Sequence, residues 1–175
     1  MSAPQHEFVA SLLDRSAAAY ANLAAQRLLG GHPEIAHRYG AQAQAQWRFN
    51  LTQRVNEFAA AVELETPALF AEAVRWSRET FVARDLPGQD LRASLDALHE
   101  VLLAELPGDC TGLIEATITP AFQALDEPPS TRPDLDPQQP LQRLGLAYVE
   151  ACLDGEPARA TRMLLDAIED GLSIP

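Results

Sequence analysis

The chain has 175 residues and a formal charge of −12, and all 13 of its basic residues are arginine. An acidic surface of this kind repels phosphate backbones and argues against nonspecific nucleic-acid binding by the chain alone. Hydrophobic residues make up 47% of the sequence and only 9 residues are glycine, so a real core built from helices rich in alanine and leucine is expected. Cys110 and Cys152 stand far apart with no CxxC and no histidine cluster beside them. Neither a disulfide framework nor a zinc site is expected, and a reducing cytosol fits. The opening MSAPQHEF lacks the charged-then-apolar pattern of a signal peptide. No apolar run approaches the roughly 20 residues that span a bilayer, so the expected setting is cytoplasmic, with no membrane partner.

In chain order, Val9, Leu12, Leu13, Tyr20 and Leu23 mark a first helix closed by Gly30-Gly31. HPEIAHRYG reads as a short helical turn, with Pro33 near its start and Gly40 at its end. Trp47, Leu51, Val55, Phe58 and Val62 keep the spacing of a helix seam packed on neighbours. Thr66-Pro67 restarts the chain as cap and first-turn proline, and Phe70, Val74, Ser77 and Phe81 share one face with Trp76 beside it. RDLPGQD breaks the pattern. Leu91, Leu95, Leu98 and Leu102 then stripe a helix that runs to Pro107-Gly108. Leu113, Ile114, Ile118, Phe122 and Leu125 form a fifth stripe, which Pro120 is expected to kink or split. Five principal helices with short connections predict an all-α unit, a helical bundle or a globin-like packing, without a sheet. Its core should contain Leu51, Val55, Phe58, Phe70, Val74, Leu95 and Leu98.

The stretch DEPPSTRPDLDPQQP, 126–140, holds five of the chain's 13 prolines. Proline removes a backbone donor and fixes φ, so no helix crosses this stretch. The expected organisation is a helical sensor or interaction domain over 1–126, a Pro-rich linker over 127–140, and a C-terminal piece over 141–175. In that piece Leu141, Leu144, Tyr148 and Cys152 stripe one helix, and Asp154-Gly155-Glu156-Pro157 makes a tight turn. Met163, Leu164, Ala167, Ile168, Gly171 and Leu172 stripe the next, giving an antiparallel hairpin. Ser173-Ile174-Pro175 reads as the cap and first turn of a further helix, so the piece is expected to be an incomplete start of a larger unit. Two helices cannot cover both stripes with each other alone. Leu144, Tyr148, Met163, Leu164 and Ile168 are therefore candidate interface residues, and a homodimer is expected.

The segment LGLAYVEACLDGEPARATRMLLDAIEDGLSIP, 144–175, resembles the first helix pair of the helical cap domain of cobalamin-binding proteins. The shared pattern is a Leu- and Ala-rich helix, an acidic-Gly-acidic turn, a second amphipathic helix, then Gly-Leu and the cap of a third. In that family the later half of the cap carries a Trp and a Glu-His pair over the corrinoid face. The Rossmann-like domain that follows carries the cobalt-ligating Asp-x-His-x-x-Gly motif. Neither motif stands in this sequence. The resemblance thus implies that this chain binds no cobalamin itself, and that the intact protein holds it in a portion outside these 175 residues. The N-terminal unit, through LF.EAVRW...TF.ARDLP...L..SL..L, resembles the helical, often globin-like and haem-free sensor segments that precede cobalamin-binding or stress-signalling output domains in bacteria.

Several residues invite a functional reading beside a plainer one. His32 and His37 flank Pro33, and His99 sits on a strongly periodic helix; each has the chemistry of a metal or haem ligand, and each also fits an ordinary loop or helix-flank histidine. Trp47, Phe58, Phe70 and Trp76 are candidates for pocket walls or for core, with core the simpler expectation for the tryptophans. Arg75 and Arg78, close to Glu72 and Glu79, read as surface salt-bridge formers. Cys110 follows Gly108-Asp109 near a helix start, where a dipole lowers a thiol pKa, or it is an inert cysteine. No GxSxG, HExxH, Walker or glycine-rich strand-to-helix motif is present, so no catalytic residue is assigned.

The function expected from these observations is regulatory and non-catalytic: the sensor or interaction part of a bacterial cobalamin-binding signalling protein, with a further protein partner also possible. Two alternatives stand beside it. One is the docking part of a corrinoid methyl-transfer protein; the other is a self-contained helical sensor of haem or lipid.

Overall fold

The computed structural model of the chain describes residues 3–127, 136, 138–153, 155–169 and 171, and every regular element among them is helical. The chain divides into two compact units, Met1–Pro129 and Ser130–Pro175. Most of the Pro-rich stretch, and the expected cap at Ser173-Ile174-Pro175, lie outside the described residues. No described helix is long and apolar enough to cross a membrane.

The first unit runs α1 (Ala3–Gly31), α2 (Pro33–Tyr39), α3 (Ala43–Glu63), α4 (Pro67–Ala83), α5 (Gly88–Glu105) and α6 (Thr111–Asp126). Single 3-10 turns at Gly40–Gln42 and Gly108–Cys110 lead into α3 and α6. The five expected principal helices are α1, α3, α4, α5 and α6, and the expected short turn is α2. Pro33 and Pro67 stand at the helix starts, where a missing N–H costs nothing. The core positions read from periodicity, Leu51, Val55, Phe58, Phe70, Val74, Leu95 and Leu98, are each 2% exposed or less. Phe58 on α3 and Phe70 on α4 meet edge to face, with ring centroids 5.2 Å apart.

Two local expectations are corrected. Leu23 is exposed rather than part of the α1 stripe; the buried face is Val9, Leu13, Ala17, Tyr20, Ala21, Ala24, Ala25 and Leu28. Helix α1 packs along α3 and α5, and alanines let helix axes approach closely in a way that leucine at the same positions would prevent. Pro120 does not split its helix, since α6 is continuous from Thr111 to Asp126. Ile118, Ala121 and Ala124 are fully buried on either side of it. That burial outweighs the roughly 3 kcal/mol that an interior proline costs.

Helices α3 and α4 end on residues other than glycine in the left-handed region, Glu65 at φ 49° and Asp85 at φ 54°. In each case paired backbone bonds close the end: Glu65 N–H to Val62 O and Thr66 N–H to Ala61 O for α3, Asp85 N–H to Val82 O and Leu86 N–H to Phe81 O for α4. The cap on α4 sets Leu86 back against the helix it has just left.

Arg78 corrects a third expectation. It is buried rather than a surface residue, 8% exposed, and its Nη1 donates to the carbonyls of Ala124 (3.0 Å), Leu125 (3.4 Å) and Glu127. Two of these belong to the last turn of α6, whose carbonyls have no partner within their own helix, and the third to the residue just past it. One guanidinium on α4 thus closes the end of α6. Arg75 does make the expected pair with Glu72, and a second one with Glu127 at 2.8 Å.

The second unit is α7 (Pro140–Leu153) packed on α8 (Pro157–Glu169). Gly155, at φ 73°, ends α7: its N–H bonds to Cys152 O and that of Glu156 to Ala151 O. Among the described residues of this unit only Ala151 and Ala160 are buried. Leu141, Leu146, Tyr148, Val149, Leu165 and Ile168 are each at least 37% exposed, and Leu144, Met163 and Leu164 are half-buried.

Candidate functional site

The first unit holds an open cavity of about 400 Å³ between α3 and α4, floored by the end of α2 and the start of α5. Helix α3 contributes Trp47, Leu51, Arg54 and Glu57, which recur at three- and four-residue spacing and so share a face. Helix α4 adds Trp76, Ser77, Thr80 and Phe81, the loop after it Arg84 and Leu86, and α2 adds Tyr39. Leu91 and Ser94 of α5 complete the floor.

Both tryptophans of the sequence line this cavity, in different ways. Trp47 is 2% exposed and packs edge to face on Tyr39 at 5.4 Å, with Phe81 at 6.4 Å. Trp76 is 62% exposed and stands at the rim, which corrects the expectation that it belongs to the core. Its position foretells this: two residues beyond Val74 is about 200° around a helix, away from the buried face. Phe58 and Phe70, grouped with the tryptophans on sequence grounds, form the core beneath and do not line the cavity.

The polar side of the wall is built around Arg54. Its Nη1 donates to Glu57 Oε2 at 2.7 Å and its Nη2 to Ser77 Oγ at 2.6 Å, so the guanidinium ties α3 to α4. Burial pulls Arg54 below the usual guanidinium range and pushes Glu57 above the usual carboxylate range, the attraction between them opposing both shifts. Arg84 is exposed at the mouth, and its side chain has no partner among the described residues. Two arginines against one glutamate make the cavity locally cationic on a chain of charge −12.

Behind the floor lies a polar cluster with unmet bonding capacity. Trp47 Nε1 is buried and lacks a hydrogen-bond partner, while Tyr39 Oη and Asp90 Oδ1 are buried as neighbours and the Tyr39 hydroxyl interacts with the Asp90 carboxylate. Asp90, 1% exposed, has its other oxygen on Arg38 Nη1. The Tyr39 phenol is pushed up by burial first and by the nearby Asp90 charge second. A buried donor without an acceptor costs about 1–3 kcal/mol, so the Trp47 N–H is a local cost of this packing.

The other candidates sit elsewhere. His32 pairs with Glu34 at 3.1 Å, and His37 is exposed. His99 meets Glu115 at 2.8 Å and the edge of Phe122. None of these histidines lines the cavity, and no described group of three His, Cys, Asp or Glu is placed to hold a metal ion. Cys110 caps the start of α6, yet it is 2% exposed and burial pushes its thiol up, against the effect expected of the helix dipole. Tyr39, Arg54 and Arg84 were not singled out by the sequence, and Phe81 was placed only on the apolar face of its helix. Arg54 carries a partial signal, a charge set between Leu51, Val55 and Phe58 on a buried seam.

Fold and site together define an all-helical protein with an amphipathic, aromatic-walled cavity. Comparison with protein-family models, characterised proteins and solved structures finds no match for the chain.

Proposed function

We propose that the chain is a non-catalytic regulatory module whose first unit binds a small molecule between α3 and α4. The observation that carries this reading is the cavity wall: a buried tryptophan with an unpartnered N–H, a second tryptophan at the rim, and a half-buried Arg54 bridging the two helices. Mostly apolar concave sites with a few placed polar groups are the ordinary form of ligand pockets. Occupancy would alter how α3 and α4 are held together. Of the alternative ligands, haem would find neither histidine nor cysteine on the wall, and Tyr39, its one lining side chain of a haem-ligating type, has its hydroxyl buried beside Asp90.

The test uses 8-anilinonaphthalene-1-sulfonate, whose emission rises in apolar sites. The wild-type chain should enhance it saturably, and Thr80→Trp, which fills the cavity from a half-buried position, should remove most of that enhancement. Equal enhancement by both proteins would place the dye elsewhere and end the reading.

For the second unit the proposal is association through the hairpin, in a protein whose cobalamin is held by another portion. Support comes from the resemblance of 144–175 and from the open groove between α7 and α8 lined by Leu144, Ala147, Met163 and Ala167. The residues present do not fit a corrinoid: all four histidines, at 6, 32, 37 and 99, lie in the first unit. The occupant proposed for the exposed face is a second copy, because two such hairpins rebuild a four-helix bundle. Sedimentation at micromolar concentration should show a dimer that Leu165→Arg with Ile168→Arg converts to monomer. A wild-type monomer, or a dimer indifferent to both changes, would remove the hairpin from the interface.

A further inference from the structure

The open side of the hairpin carries a charge pattern that fixes how a second copy lies on it. Helices α7 and α8 meet at the buried Ala151 and Ala160, and Leu144, Ala147, Met163 and Ala167 line the groove between them. About a quarter turn round from that contact, α7 presents Leu141, Gly145, Tyr148 and Cys152, and α8 presents Thr161, Leu165 and Ile168, all exposed. Seen from the start of each helix the quarter turn has the same sense, so in an antiparallel hairpin both stripes come out on one side. Spacings of three and four residues make each stripe a seam for another helix. Arg162 and Glu169, seven residues apart, edge the α8 stripe on the flank away from α7. Both are exposed, and neither has an ion-pair partner among the described residues. Glu169 ends α8, where the helix dipole disfavours an anion, so α8 alone gives no reason for a carboxylate there.

A second chain supplies the reason. When two helices pair antiparallel about a two-fold axis, equivalent flanks face each other; when they pair parallel, each flank faces the opposite one. The opposite flank of α8 carries the half-buried Leu164 and no charge. Antiparallel pairing therefore sets Arg162 of each copy beside Glu169 of the other, whereas parallel pairing leaves these charges unmatched. Resting on the reading of the hairpin as a dimer interface, we propose that the second copy lies with its α8 antiparallel to this one, Arg162 and Glu169 selecting that orientation.

Charge exchange in the full chain tests this, with dissociation constants from sedimentation equilibrium. Arg162→Glu sets glutamate against glutamate at both contacts, and Glu169→Arg sets arginine against arginine. Each should weaken the dimer roughly tenfold, an effect that shrinks with added salt. An equimolar mixture of the two variants should associate more tightly than either alone, because each contact in the mixed dimer is again Glu with Arg. The doubly exchanged chain, Arg162→Glu with Glu169→Arg, should recover wild-type association, which also shows that the single changes act through pairing rather than through folding. If the single variants associate like the wild type, or the doubly exchanged chain stays as weak as they are, the antiparallel charge pairing is wrong and the hairpin dimer stands without it. A wild-type monomer removes both this inference and the dimer reading.

Discussion

Phe58→Ala should lower the stability of the first unit by about 3–5 kcal/mol, the range for removing a fully buried aromatic ring. Phe58 is 0% exposed, and its partner Phe70 is likewise fully buried, so the deletion removes both burial and an edge-to-face contact between α3 and α4. For a unit of this size the melting temperature should fall by on the order of 10 °C. Phe49 lies on the same helix but is 66% exposed, so Phe49→Ala should shift stability by no more than about 0.5 kcal/mol. Thermal melts followed by circular dichroism would decide it. Similar melts for the two variants would mean that the α3–α4 seam is not the core of this unit.

Arg78→Met should cost about 2–4 kcal/mol, by leaving the terminal carbonyls of α6 buried and unpaired. Methionine keeps much of the aliphatic length and loses all donors to Ala124, Leu125 and Glu127. Lysine keeps the charge but offers a point donor instead of a planar fork, so Arg78→Lys should recover only part of the loss. Arg75→Gln, which removes surface pairs with Glu72 on α4 and with Glu127 just past the end of α6, should cost less than about 1 kcal/mol. Urea unfolding midpoints give the ordering. An Arg75 variant as damaging as the Arg78 variant would show that charge, rather than closure of the helix end, matters here. Arg78 does not line the cavity, so dye binding by the surviving folded fraction should be unchanged in Arg78→Lys.

The helices themselves are written in the sequence. Apolar residues three and four apart necessarily share a helix face, so Trp47, Leu51, Val55, Phe58 and Val62 had to be buried together once α3 formed, and they are. The same logic holds for Phe70 with Val74 and for Leu95 with Leu98. Proline at helix starts and turn residues between stripes set where the elements begin and end, because these effects act within a few residues.

Only the tertiary structure decided what those faces meet. Periodicity does not say how closely two helices approach, so the alanine seam of α1 displaced Leu23 from the expected stripe. It does not say which long polar side chain finds a buried acceptor on a distant helix, so Arg78 looked like a surface charge. The cavity draws on α2, α3, α4, the α4–α5 loop and α5, from Tyr39 to Ser94. No window of sequence contains it, because a concave site is a property of the gap between elements. In the hairpin the apolar stripes are local and legible, but what covers them is a question of association, which a single chain's pattern of residues leaves to its partners.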